Sequence, residues 1–525
     1  MLKISKIPDG EPVSTLFTAT VDGENAPAKA IRVSAYPYNY GWPGHQRPEE
    51  QSEDSAYIAF ESDKPVRLRV KPGREFCEAV VRPLSKGIKP EREGGGLVFT
   101  LEHPGQYSLE LDGHHNNLHI FFDAPREYAE DGVIYYGPGV HNTGVVRLYS
   151  GDTVVIDRDA VVVGGFFAKI TGRGVIDGRY ENRTNDTLLL AVDVQTWGHI
   201  DHGAEGFMKF MKRTDLMTGN IKLYNCRNCV IEGVICVDSA AWAVSCYACS
   251  DLHIDGIKEV GQWKYNTDGI DLMNCHDVLV ENCFLRNYDD CMVLKGIKGW
   301  DGEDLYNITM RNLVIWCDWG RALEIGAETC ADEYHGILFE DCDVIHAVFS
   351  MLDIQNGDRA YVHDVTFDNI RCEFTKYQQQ DVLQTDMTVP YPDPQPAYQP
   401  RLIFIHGYTG QWSKDGIPGK TSDILFRNIM VYPDTGMTAP EIDICGFSEG
   451  HGVERVTFDG IFMNGKRLTR GDIKWTVGHH VGDLVCLNGK IAVPESCGSQ
   501  NRVLTGQIIC VILSLSVMYF RRKGI

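Results

Sequence analysis

Three aspartates form the chemically most suggestive pattern in this chain. Asp268 lies within Asn266-Thr267-Asp268-Gly269-Ile270-Asp271, and Asp289 and Asp290 are adjacent in Tyr288-Asp289-Asp290-Cys291. Carboxylates crowded onto one surface cannot all ionise together. Repulsion raises at least one pKa and leaves another group ionised, which is what a general acid and a general base need at one pH. Adjacent residues of an extended segment point in different directions, so gathering all three requires a bend at Asp289 or Asp290. The same cluster would also suit a hard cation such as calcium. Asp-Gly and Asn-Asp pairs have a plainer use, capping corners through backbone hydrogen bonds, and Asp271 and Asp277 are assigned that role.

The elements that must position these aspartates show in an internal repeat. Eight segments share a pattern: Cys229-Val-Ile-Glu-Gly-Val, Leu252-His-Ile-Asp-Gly-Ile, Val278-Leu-Val-Glu-Asn-Cys, Ile308-Thr-Met-Arg-Asn-Leu, Ile337-Leu-Phe-Glu-Asp-Cys, Val365-Thr-Phe-Asp-Asn-Ile, Ile424-Leu-Phe-Arg-Asn-Ile and Val456-Thr-Phe-Asp-Gly-Ile. The first, third and sixth positions are apolar. The fifth is Gly, Asn or Asp. From Cys229 to Val365 the segments recur with a nearly constant period, within the range of stacked-repeat proteins. Alternation of period two followed by a turn residue is a short strand and a sharp corner. Repeated at this period, without the consensus of leucine-rich repeats and too short for a propeller blade, it predicts stacked coils. The fold class is all-β, a right-handed parallel β-helix. The separation of Asp268 and Asp289 is about one short coil, which would set the two one above the other.

The coils are expected to begin near Val145, with 152–157 and 174–178 as early rungs, and the helical domain is assigned to residues 126–480. Residues 1–125 differ in texture. Pro65-Val-Arg-Leu-Arg-Val, Leu97-Val-Phe-Thr-Leu and Tyr107-Ser-Leu-Glu-Leu alternate between turn residues, which predicts a small antiparallel β-sandwich capping the amino end of the solenoid. The longer interval from Val365 to Ile424 reads as two coils carrying a loop at 390–400, and a second insertion falls at about 188–211, with Trp197, His199 and His202.

Cys226, Cys229, Cys246 and Cys249 have the spacing of a four-cysteine zinc site. The repeat accounts for them without a metal, since Cys226, Cys249 and Cys275 share one register and Cys283 and Cys342 share the sixth position. They are read as stacked core thiols, and neither a metal nor a cofactor is expected. The net charge of −22 argues against a nucleic-acid partner. The amino terminus lacks an apolar signal-like run, and 17 cysteines suit a reducing compartment, so a cytoplasmic protein is expected. Residues 503–520 are largely apolar and precede Arg521-Arg522-Lys523, the outline of a membrane segment. A packed or trailing terminus within a tail of 481–525 is the expected reading.

Asn266-Thr267-Asp268-Gly269-Ile270-Asp271, Asp289-Asp290-Cys291 and Gly320-Arg321-Ala322-Leu323-Glu324-Ile325-Gly326, on such a repeat, resemble the polygalacturonase-type glycoside hydrolases of family 28 over about residues 130–470. The resemblance implies that Asp289 protonates the leaving oxygen while Asp268 and Asp290 orient and deprotonate water, with inversion at the anomeric carbon. The chain departs from the family where Gly-His-Gly is replaced by Gly320-Arg321-Ala322, and where Arg-Ile-Lys is replaced by Asp353-Ile354-Gln355. A uronate needs the charge-assisted contacts of Arg and Lys, so a neutral glycan is expected, with galacturonate as the alternative. Candidate substrate contacts are Arg321, Glu324, Gln355, Asp353 and Asn266. Trp263, Tyr265, Tyr288, Trp300, Trp316 and Trp319 are candidate sugar-stacking rings. The domain order also resembles the dextranase and isopullulanase group, which cuts neutral glucans. A polysaccharide lyase would need a uronate and a Lys or Arg base, which the aspartates do not supply. A non-catalytic glycan-binding solenoid is the remaining rival.

Overall fold

The computed structural model describes residues 1–35, 52–128, 131–149, 151–167, 170–179, 219–264, 266–377, 398–410, 412–434, 436–486 and 489–490. The expected insertion near 188–211, Tyr265, most of the 390–400 loop and the apolar run 503–520 lie outside them. Among the described residues, no helix is long and apolar enough to cross a membrane.

From Ile134 to Lys490 the described strands form one continuous ladder. Through its central part each strand pairs in parallel with the strand three places later. That is a parallel β-helix with three strands per coil. It is assembled from the repeat as expected. The first, third and sixth residues of the segments from Leu252 onward all belong to one buried core. Phe339, Phe367, Phe426 and Phe458 stack through it with ring centroids 4.5, 5.0 and 5.4 Å apart.

The corners explain the fifth position. Gly233, Gly256, Asn282, Asn312, Asp341, Asn369, Asn428 and Gly460 all have φ between 53° and 90°. Gly, Asn and Asp are the residues that tolerate this left-handed region. Asn side chains then bond coil to coil, as Asn312 Nδ2 does to Asn282 Oδ1 at 2.6 Å. The thiols follow the repeat as well: Cys246, Cys249, Cys275, Cys283 and Cys342 are in the core, and the Cys249 backbone N–H donates to Cys275 Sγ at 3.4 Å.

Four expectations change. The ladder starts at Ile134 rather than near Val145, and Val481–Cys486 still pairs with it beyond residue 480. Val365 pairs directly with Ile424, so the interval between them is one coil with a long insertion, not two coils. The amino-terminal domain consists of a five-stranded antiparallel sheet and a six-stranded sheet, in which Ser52–Glu61 and Leu118–Asp123 pair in parallel. Finally, this domain lies along the flank of the solenoid. Ile31, Val33, Tyr57 and Phe121 pack on Val161, Val175, Val260, Phe284, Val314 and Ile345, residues contributed by successive coils. Buried polar links cross the same seam, including Arg82 to Glu373, Lys258 to Asp123 at 2.6 Å and Arg286 to Asn117 at 2.6 Å.

Candidate active site

One of the three strand columns carries the aspartates. It contains Val244–Tyr247, Ile270–Met273, Met292–Gly296, Arg321–Thr329, Ser350–Asn356, Arg401–Gly407 and Glu441–Cys445. Ile270, Met292, Leu323, Leu352, Ile403 and Ile442 point into the core. Asp271, Val293, Glu324, Asp353, Phe404 and Asp443 form the neighbouring column of the ladder, on the outward face.

Asp268, Asp289 and Asp290 sit at the corner where the chain enters this column. Ile270 pairs with Met292. The residue in line with Asp268 is therefore Asp290, and the coil is longer by a single position than the step from Asp268 to Asp289. The Gly269 N–H donates to Asp290 O at 2.8 Å, and the Asp289 N–H to Thr267 O at 3.4 Å, which sets Asp289 beside Thr267. The bend that gathers all three depends on two glycines. A Cβ on Gly269 would lie 2.3 Å from Cys291 O, and one on Gly320 2.4 Å from Asp290 Oδ1, so either would drive the coils apart.

All three carboxyls are buried, and their environments differ. Burial, then the charges of Asp268 and Asp290, push Asp289 well above the usual carboxylate range. Burial also lifts Asp268, to about 7; Lys295 opposes the shift and Asp290 adds to it. For Asp290 the burial penalty is outweighed by the Arg321 and Lys295 charges, which hold it below its ordinary value. Its Oδ1 accepts the Arg321 backbone N–H at 2.8 Å and faces Arg321 Nη1 at 3.4 Å. The corner therefore sets the two neighbours apart in acidity, Asp289 raised and Asp290 lowered, the separation that an acid and a base working at one pH require.

The expected substrate contacts surround this corner. Asn266, with φ of 61°, donates to Asp268 Oδ1 at 3.4 Å. Gln355 Nε2 donates to Glu324 Oε1 at 3.1 Å, and Ser350 Oγ bonds Asp353. Burial, followed by the charge of Asp290, raises Glu324, and burial lifts Asp353 to about 6. The Arg321 guanidinium rests 4.6 Å over the Phe349 ring.

Two groups escaped the sequence reading. Lys295 is buried, donates to Asp268 Oδ2 at 2.8 Å, lies 3.1 Å from Asp271 Oδ1 and sits 4.1 Å over the Trp242 ring. Asp271 is thus an outward ladder residue paired with a lysine rather than a corner cap, whereas Asp277, with φ of 54° and bonded to His276 and Asn307, is a corner residue. Glu259, bonded to Asn287 Nδ2 at 2.7 Å, is lifted to about 8 by burial. The signal for Lys295 was the register itself, since it follows Val293, the partner of Asp271, on the same face of the strand.

The candidate rings divide. Tyr288 stacks on Trp319 at 5.8 Å next to the carboxylates. Trp316 is instead buried in the domain seam, with Arg286 4.0 Å over its ring. Trp300 packs with Trp242, Tyr247 and Met273, and Trp263 Nε1 donates to Asp238 at 2.9 Å. As for a cation, the Lys295 ammonium already stands between Asp268 and Asp271. Cys330, Asp358 and Asp415 have donor atoms close together. Asp358, however, accepts backbone N–H groups of Thr329, Lys414 and Asp415 at 3.1, 2.5 and 3.0 Å, and Asp415 pairs with Arg359 at 2.9 Å, so this group pins a loop.

Residues 169–386 match the family model described as glycosyl hydrolases family 28. A "Probable polygalacturonase" of Vitis vinifera is 26% identical over 239 residues, 39% of this chain and 46% of that protein. The chain thus spans about half the length of the curated relative it matches. Dex49A from Penicillium minioluteum shares the fold with a TM-score of 0.58 at 14% identity, over 92% of this chain and 96% of that one. An exopolygalacturonase from Thermotoga maritima gives a TM-score of 0.45 at 16% identity, over 64% and 85%.

Proposed function

We propose that this protein hydrolyses O-glycosidic bonds of a glycan built from neutral sugars, by an inverting acid/base mechanism. One observation carries the reading: the carboxyls of Asp268, Asp289 and Asp290 share one buried corner, where burial raises Asp289 while the Arg321 and Lys295 charges hold Asp290 low. Asp289 protonates the departing glycosidic oxygen as the bond to the anomeric carbon breaks. Water attacks from the opposite face, oriented by Asp268 and Asp290, and gives up its proton to the carboxylate that is ionised. Burial keeps bulk water from screening these charges.

The neutral-sugar reading draws on the cations of the outward face. Lys295 is paired with Asp268 and Asp271, Arg321 with Asp290, and Arg401 with Asp443. A uronate carboxylate arriving here would face carboxylates that already occupy its counter-ions. The family match favours a second reading, cleavage of galacturonate chains.

A panel of neutral and uronate oligosaccharides separates the two, with released reducing ends and the anomer of the first product followed by NMR. The proposal expects release from a neutral glycan with inverted configuration. Release from galacturonate chains alone would replace the neutral reading, and a retained anomer would overturn the mechanism.

A further inference from the structure

Beyond Glu324 and Asp353 the outward face changes character. Phe404 and then Asp443 continue that column, while Arg401 stands in line with Ser350 and Arg321, and His406 in line with Gln355. Arg401 Nε donates to Asp443 Oδ2 at 3.1 Å, and His406 Nε2 lies 2.9 Å from Asp443 Oδ1. The Arg401 guanidinium sits 5.2 Å from the Phe349 ring and 5.3 Å from the Phe404 ring. The His406 ring stacks on Phe404 at 3.9 Å. Arg401, Phe349 and His406 are each half-buried, over a buried Phe404.

This arrangement holds an arginine rigid and leaves its fork unused. Among the described residues, neither Nη group of Arg401 has a hydrogen-bond partner. Nothing in the acid/base chemistry requires it. Arg427 and Arg455, on another column of the coils, are exposed and hydrogen-bonded through their Nη groups to neighbouring carboxylates. Arg401 instead stands in line with the cleaving corner, with half-exposed rings beside it.

We propose that Phe349, Arg401, Phe404, His406 and Asp443 form a second sugar-binding subsite, which takes a neutral pyranose unit of the glycan about two coil spacings, roughly 10 Å, from Glu324. The two Nη groups donate to a pair of neighbouring hydroxyls, and the Phe349 and His406 rings pack on the C–H face of the sugar. Asp443 fixes Arg401 and cancels its charge, which suits hydroxyls better than a carboxylate. The subsite rests on the hydrolase reading and adds a preference for chains long enough to reach from the carboxylates to Arg401.

The test uses the full chain and oligosaccharides of one linkage in short and long forms. Arg401→Gln, and independently Phe404→Leu, should lower the ratio of kcat/KM for long over short substrates about tenfold, through KM, the worth of one or two hydrogen bonds. Thermal melting of both variants confirms folding. A long-to-short ratio equal to that of the wild type would overturn the subsite and leave the hydrolase standing. A uronate preference abolished by Arg401→Gln would overturn its neutral assignment. Should the wild type cleave nothing, the hydrolase reading fails and binding of the long oligosaccharide decides the subsite. Affinity lowered by Arg401→Gln supports it, and affinity absent or unaltered overturns it.

Discussion

Replacing Lys295 with methionine would keep the shape of the site and remove the ammonium that touches Asp268. The ammonium is buried, 2.8 Å from Asp268 Oδ2 and 3.1 Å from Asp271 Oδ1, and these carboxylates hold it charged despite burial. Asp268 sits at about 7 with that charge in place. An adjacent opposite charge depresses a buried carboxyl by about 1–3 units, so its loss raises Asp268 by about 2. The sign follows directly. The proposed mechanism needs Asp268 ionised to orient the water, so activity should be present above its folded pKa and lost as pH falls through it. At pH 7 the ionised share drops from about one half to about 1%, and kcat/KM falls roughly 50-fold, while the acid limb of the pH profile moves up by about 2 units. Lys295→Arg should restore much of the wild-type limb. Steady-state rates from pH 4 to 10, beside circular dichroism of each variant, provide the assay. Equal loss at every pH, with no movement of the limb, would refute the reasoning and leave Lys295 a packing residue.

Two further predictions concern stability. Phe367 stacks between Phe339 and Phe426 in the core, so Phe367→Ala should cost about 3–5 kcal/mol; a shift in denaturation midpoint worth under about 1 kcal/mol would contradict the stacked-coil account. His114 and His119 are held neutral in the domain seam by burial, with nearby charge from Arg286 adding to the effect. The folded state therefore binds fewer protons than the unfolded one, and stability falls as pH drops below about 6.5; melting temperatures flat from pH 7.5 to 5 would contradict this.

Much of the solenoid was legible because its rules are local. An apolar first, third and sixth residue and a left-handed fifth can be read from one segment alone, as with Val365, Phe367, Ile370 and Asn369. What escaped depends on register between coils. Lengthening the coil by a single position exchanges Asp289 for Asp290 in line with Asp268, and no single segment encodes it. Lys295 reads as an ordinary polar residue of an alternating strand until Ile270 is paired with Met292. The seating of the amino-terminal domain did leave a trace. Val161, Val162 and Val163 are apolar on both faces of one strand, with Val162 in the solenoid core and the others under Ile31 and Phe121, the pattern of a strand covered on both sides.

The central claim is that Asp289 delivers the proton to a glycosidic oxygen. Turnover of the best glycan by Asp289→Asn, compared with the wild type and with oligosaccharide binding measured on both, tests it most directly. The account predicts a loss of about 10²–10⁴-fold in kcat with binding retained. Undiminished turnover in the variant would contradict it, and a wild type that binds the glycan without cleaving it would make the solenoid a binding module.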